Sequence, residues 1–167
     1  MFHIAKLNSP VQDIFLKTIH QHQNIIHKVS RMYRDSPEDR QDLFQEIVFQ
    51  LWKAYPGFRN ESKVSTWMYR IALNTAIATY RKPKIAIDKS ETIPEKFHPV
   101  DTNEPSENQE RLFAALRLLN DSEKAVISLF LDDYSYQQIA SITGITENNV
   151  GVRINRIKEK LKLILNQ

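Results

Sequence analysis

Apolar residues recur along this chain at three- and four-residue spacings and scarcely ever alternate at two. After Pro10, the positions Val11, Ile14, Phe15, Ile19, Ile25, Ile26 and Val29 predict one long helix or two in succession. Arg34-Asp35-Ser36-Pro37 interrupts the pattern, with Asp35 or Ser36 placed to cap and Pro37 suited to a first helical turn. Leu43, Ile47, Val48, Leu51 and Trp52 then mark the buried stripe of a helix from 38 to about 54. A loop over 55–62 leads to a helix from about 65 to 81, with Met68, Ile71, Ala72, Thr75, Ala76 and Thr79 on its core side. Further on, Leu112, Ala115, Leu116 and Leu119 form one stripe. Asn120-Asp121-Ser122 is a stop and a new cap, and Ala125, Val126, Leu129 and Phe130 form the next stripe. Missing alternation and only 3 glycines predict an all-α fold.

Residues 136–162 have the pattern of a helix-turn-helix with a basic second helix. Ile139, Ala140 and Ile142 supply the apolar face of a short first helix, and Gly144 stands where a tight turn needs φ > 0. Thr146 can cap the next helix, in which Val150, Ile154, Ile157 and Leu161 recur as one stripe. Its other faces carry Asn148, Asn149, Arg153, Asn155, Arg156 and Lys158. Such a helix fits a DNA major groove, where Arg and Asn pair with base edges and Lys or Arg with phosphates. An ordinary helical hairpin would show the same pattern of glycine between short helices.

Between the helical zones, residues 83–107 hold four of the seven prolines (Pro83, Pro94, Pro99 and Pro105). They also hold Asp88, Glu91, Glu95, Asp101, Glu104 and Glu107 against three lysines, and no helical period survives. An acidic, flexible linker is expected, since a folded Ω-loop of that length would be unusual. The chain therefore divides into two small helical domains, 1–82 and 108–167, joined by that linker.

A net charge of +3 on 167 residues is only weakly basic, so nucleic-acid binding has to come from local clusters. The absence of cysteine excludes a disulfide framework, a cysteine zinc site and a cysteine nucleophile. The first residues have no signal-peptide pattern, and no apolar run approaches the roughly 18 residues of a membrane span. A cytoplasmic location is expected. His20, His22 and His27 lie on or near one helix without a zinc-binding HExxH spacing, and His3 and His98 stand apart. No catalytic residue, metal site, cofactor or small-molecule substrate is expected.

Two faces of the first zone are unusual. In the helix from 38 to 54, Asp42, Gln45, Glu46 and Phe49 fall on one stripe, which would suit a basic partner helix. A solvated polar face with Phe49 partly buried is the plainer alternative. In the next loop and helix, Phe58, Arg59 and Lys63 precede Trp67, Tyr69, Arg70 and Asn74. Rings interleaved with cations are what a single-stranded nucleic-acid site needs. Large aromatics in small domains are usually core, so at least one of Trp67 and Tyr69 is expected inside.

Asp42-Leu43-Phe44-Gln45-Glu46, Leu51-Trp52-Lys53-Ala54, Phe58 and the run from Ser65 to Asn74 resemble conserved domain 2 of bacterial sigma factors. Leu119 to Glu123, Tyr134 to Ala140 and on to Leu161 resemble their domain 4, with no third domain between. That order is similar to the extracytoplasmic-function (ECF) group, over roughly residues 10–165.

The resemblance implies that Asp42, Gln45, Glu46 and Phe49 contact core RNA polymerase. It implies that Phe58, Arg59, Asn60, Lys63, Ser65, Thr66, Trp67, Tyr69, Arg70 and Asn74 recognise and open a promoter −10 element. It implies that Thr146, Glu147, Asn148, Asn149, Val152, Arg153, Asn155, Arg156 and Lys158 read a −35 duplex. It further implies promoter DNA and an anti-sigma factor as partners. Many members carry Lys or Arg where Gly151 stands, so Gly151 removes a side chain that could reach a phosphate. It also weakens the helix by up to about 1 kcal/mol relative to Ala. Glu147 could accept from a cytosine amine or simply complement the helix dipole. An ordinary helix-turn-helix regulator that is not a polymerase subunit would account for residues 136–162. It would leave the aromatic helix and the acidic stripe unexplained.

Overall fold

The computed structural model of the protein describes residues 10–80 and 104–167. Among these, every regular element is helical: α1 (Pro10–Tyr33), α2 (Pro37–Ala54), a single 3-10 turn (Tyr55–Gly57), α3 (Val64–Tyr80), α4 (Glu107–Arg117), α5 (Asp121–Leu131), α6 (Tyr136–Thr143) and α7 (Glu147–Leu165). The linker expected at 83–107 lies outside the described residues except for its last four, as do His3 and His98.

The first zone is a three-helix group. α1 is one helix of 24 residues and not two. Its polar middle, His20 to Asn24, continues the helix, and Gln23 is buried there. Ser36, not Asp35, caps α2 by accepting from the Asp39 N–H at 3.1 Å, with Pro37 in the first turn. The α2 stripe is buried as its period predicts, with Phe44 added at 3% exposure and Trp52 left partly exposed. On α3 the buried set is Met68, Tyr69, Ala72, Leu73, Thr75 and Ala76, while Ile71 and Thr79 stay partly exposed. The core side is thus wider than the predicted stripe and turned towards Tyr69 and Leu73. α3 packs on α1 and α2 and is also met by α6 from the second group.

The second group is built around α5, from which Lys124, Ala125, Val126, Ile127, Ser128 and Leu129 are all buried. Each helix start here is fixed by a local cap. Ser106 and Gln109, Asn120 and Glu123, and Ser135 and Gln138 form three capping boxes, and Thr146 caps α7. Gly144 ends α6 with φ 76°, a left-handed conformation that costs glycine nothing.

The two groups pack on one another, with α1 against α4 and α5 and α3 against α6. Several polar contacts cross between them. Tyr33 donates to the Asp121 carbonyl at 2.9 Å. Arg117 donates to the Arg31 carbonyl at 3.3 Å and pairs with Asp35 at 3.4 Å. Lys28 donates to the Ser128 carbonyl at 2.9 Å and to Asp132 at 2.6 Å. These polar links leave no trace in hydrophobic periodicity.

Candidate nucleic-acid interface

α7 turns one stripe inward and the opposite stripe outward. Val150, Ile154 and Ile157 are buried, while Asn148, Asn149, Val152, Asn155 and Arg156 are exposed, Val152 at 41%. Thr146 is exposed and accepts from the Asn149 N–H at 3.3 Å, and Glu147 sits exposed in the first turn. Two of the expected DNA contacts also have protein partners. Arg153 is half-buried on the α5 side and donates to the Ser122 hydroxyl. Lys158 holds its ammonium 4.6 Å from the centre of the Phe130 ring.

Gly151 faces α6: a Cβ there would lie 3.3 Å from the Tyr136 ring, which would have to shift by a few tenths of an ångström to admit it. In the first turn of α5, Glu123 gathers Lys160 at 2.7 Å and the Asn120 N–H at 3.0 Å. Partial burial alone would raise the Glu123 carboxyl, but these donors and the nearby Arg153 outweigh it and hold it below the usual range.

The second surface is the loop after α2 and the start of α3. Phe58 and Trp67 are both half-buried, their ring centres 4.7 Å apart, and Trp67 leans on Tyr55 at 6.2 Å. Asn60 takes φ 57°, a left-handed conformation that asparagine tolerates better than most residues. Arg59, Asn60, Lys63, Arg70 and Asn74 are exposed. A half-buried aromatic pair on the same loop and helix start as exposed cations and amides is the combination that stacking on unpaired bases requires.

Tyr69 departs from expectation. It is 1% exposed, donates to the Asp132 carboxylate and meets Tyr134 edge-on at 5.6 Å. Buried beneath the α5–α6 corner, it has no surface for a base in this arrangement. The expectation that one of the two aromatics would be interior is met by Tyr69. Burial, then the Asp132 bond, raises its phenol and keeps it a neutral donor. Burial also lowers the Lys28 ammonium, although Asp132 opposes that shift. Ser65 and Thr66 are half-buried and line a cleft of about 360 Å³ with Lys63, Asp132, Asp133 and Tyr134. The sequence gives Asp132-Asp133 only as a helix end and gives no signal at all for Lys28, because their meeting depends on the packing of the two groups.

The third surface is the α2 ridge. Asp42 is exposed, and Gln45, Glu46 and Phe49 are half-buried. Gln50 donates to Glu46 at 2.8 Å, and the Lys53 ammonium lies 5.5 Å from the Phe49 ring. These neighbours a turn apart lend the ridge modest local support.

Among the described residues no group of three or more His, Cys, Asp or Glu could hold a metal ion, and no helix is long and apolar enough to cross a membrane. His27 packs against Phe44, ring centres 4.5 Å apart.

Residues 18–84 match the family model "Sigma-70 region 2", and residues 109–161 match "Sigma-70, region 4". The ECF RNA polymerase sigma-E factor of Haemophilus influenzae is 31% identical over 141 residues, covering 76% of this chain and 75% of that protein. The RNA polymerase sigma factor SigV of Bacillus subtilis is 27% identical over 167 residues, covering 96% of each. Among solved structures, the sigma factor RpoE from Bartonella quintana, crystallised with the anti-sigma factor NepR, superposes with a TM-score of 0.70. It is 18% identical and covers 92% of this chain and 98% of that one.

Proposed function

The chain belongs to the extracytoplasmic-function (ECF) group of the sigma-70 family, and from that premise we propose how its three surfaces divide the work of an alternative sigma factor. The α2 ridge of Asp42, Gln45, Glu46 and Phe49 docks on core RNA polymerase. Arg59, Asn60, Lys63, Arg70 and Asn74, around the Phe58–Trp67 pair, hold the opened −10 strand. Ser65 and Thr66 join them from the cleft, and Tyr69 does so only when the second group moves away. The outer face of α7, from Thr146 to Arg156, enters the −35 major groove. Residues 1–82 and 108–167 act as two binding domains, and 83–107 connects them.

The exposed row Asn148, Asn149, Val152, Asn155 and Arg156, opposite a buried stripe, carries the DNA-reading half of this assignment. No covalent step is involved, so the protein acts without being an enzyme. Stacking returns roughly 1–3 kcal/mol per base, and each bidentate pair in the duplex adds about 1–3 kcal/mol of discrimination. Two modest sites become one strong one when polymerase links them. The action is cytoplasmic, and an anti-sigma factor is the expected regulatory partner, as for the Bartonella relative crystallised with one.

Run-off transcription with purified core polymerase tests the assignment. Start sites that depend on adding this protein support it. Duplex binding with no polymerase-dependent transcript would instead make it a free-standing regulator.

A further inference from the structure

One side chain on the outer face of α7 is out of keeping with its neighbours. Val152 is apolar and 41% exposed. Asn148 and Asn149 stand a turn before it, Asn155 and Arg156 a turn after it, and all four are exposed and polar. We propose that Val152 reads the C5-methyl group of a thymine in the upstream promoter element; this rests on the assignment of the α7 outer face to that duplex.

Val152 is not part of the core of its own helix. Val150 and Ile154, two residues to either side, are fully buried and supply that contact. Its immediate neighbours leave the outward direction at this level to the valine. Gly151 has no side chain, and Arg153 is half-buried and donates to the Ser122 hydroxyl of α5.

A valine side chain can neither donate nor accept a hydrogen bond. Set against a purine edge or a cytosine amine in the major groove, it would strip water from polar groups and return no partner. Thymine is the base that presents a methyl group there. Valine methyls laid against that methyl remove apolar surface from water on both partners. The asparagines around Val152 suit adenine, and Arg156 suits guanine. The valine therefore supplies a base preference that its polar neighbours do not.

Core RNA polymerase loaded with this protein can select from a duplex library randomised over both promoter elements. The recovered upstream element should hold thymine at a fixed position. Each such thymine is then replaced singly by deoxyuridine, which deletes only the methyl group. At one position holoenzyme binding should fall about fourfold, the value of one buried methyl. Val152→Ala changes an exposed helical position to a residue that helices favour, so the fold should be kept. That variant should bind the thymine and deoxyuridine duplexes nearly equally. A selected element without thymine would overturn the contact. So would equal binding of both duplexes by the parent holoenzyme, or a fourfold methyl effect that survives in Val152→Ala. Failure of the α7 assignment would look different: no upstream position would be enriched at all, and the thymine contact would fall with it.

Discussion

Tyr69 donates its hydroxyl to Asp132 across 63 positions of sequence, joining the middle of α3 to the end of α5. Tyr33 makes the companion link from the end of α1 to the Asp121 carbonyl at the start of α5. The two phenols thus tie the first helical group to both ends of the central helix of the second.

These phenols set an alkaline limit on stability. Burial, followed by Asp121 for Tyr33 and by Asp132 for Tyr69, raises both above their ordinary range. A group whose folded pKa is raised keeps its proton after the unfolded chain has lost it. The stability it contributes is complete below about pH 10 and declines as pH rises beyond that. Burial lowers Lys28 and Lys124, which act in the opposite sense, but only below the unfolded lysine value of about 10.4. Urea midpoints measured from about pH 9 to about pH 11.5 should fall, and the double variant Tyr33→Phe, Tyr69→Phe should show a flatter decline. Parallel declines would remove the phenols as the cause.

Arg153 and Arg156 should separate into a structural and a DNA-reading residue. Arg153 is bonded to Ser122, so Arg153→Ala should cost about 0.5–1.5 kcal/mol of unfolding free energy and alter DNA binding little. Arg156 is exposed on the outer face, so Arg156→Ala should leave stability nearly unchanged and cost about 1–3 kcal/mol of upstream-element discrimination in the holoenzyme. Urea unfolding together with duplex competition measures both, and equal losses on DNA would contradict the split.

Gly151→Ala tests the meeting of α6 and α7. The helix gains up to about 1 kcal/mol from alanine, but the new Cβ presses on the Tyr136 ring at 3.3 Å. That ring is 39% exposed and can give by a few tenths of an ångström. A net gain of about 0.5 kcal/mol in urea unfolding is expected. A net loss would mean that the ring is held in place, with Phe130 beside it at 6.5 Å.

The double variant Asp42→Arg, Glu46→Arg should lower association with core polymerase by more than about tenfold by reversing the ridge charge. Both side chains sit on the outer side of α2, so the helical circular-dichroism signal should persist. Pull-down of core subunits reads the first effect. Full retention would remove the ridge from the docking surface.

The helix starts were legible because their signals are local. Ser36, Asn120 and Thr146 each accept from an N–H three residues on, a relation that spacing alone reveals. Gly144 was legible for the same reason. The apolar positions of the first zone allowed one helix or two, and α1 runs unbroken through the polar stretch from His20 to Asn24 because its apolar stripe resumes in phase on the far side. Tyr69 could not be placed from its own helix, since the corner that buries it lies in the other group. Arg153 and Lys158 share α7 with outward-facing residues, and only the positions of Ser122 and Phe130 reveal that both are engaged.

Helix α1, about 36 Å long at 1.5 Å per residue, touches α2 and α3 in its own group and α4 and α5 in the other. It is a keel to which both halves of the hull are fastened. A buried substitution in α1 would therefore be felt in the packing of both groups at once.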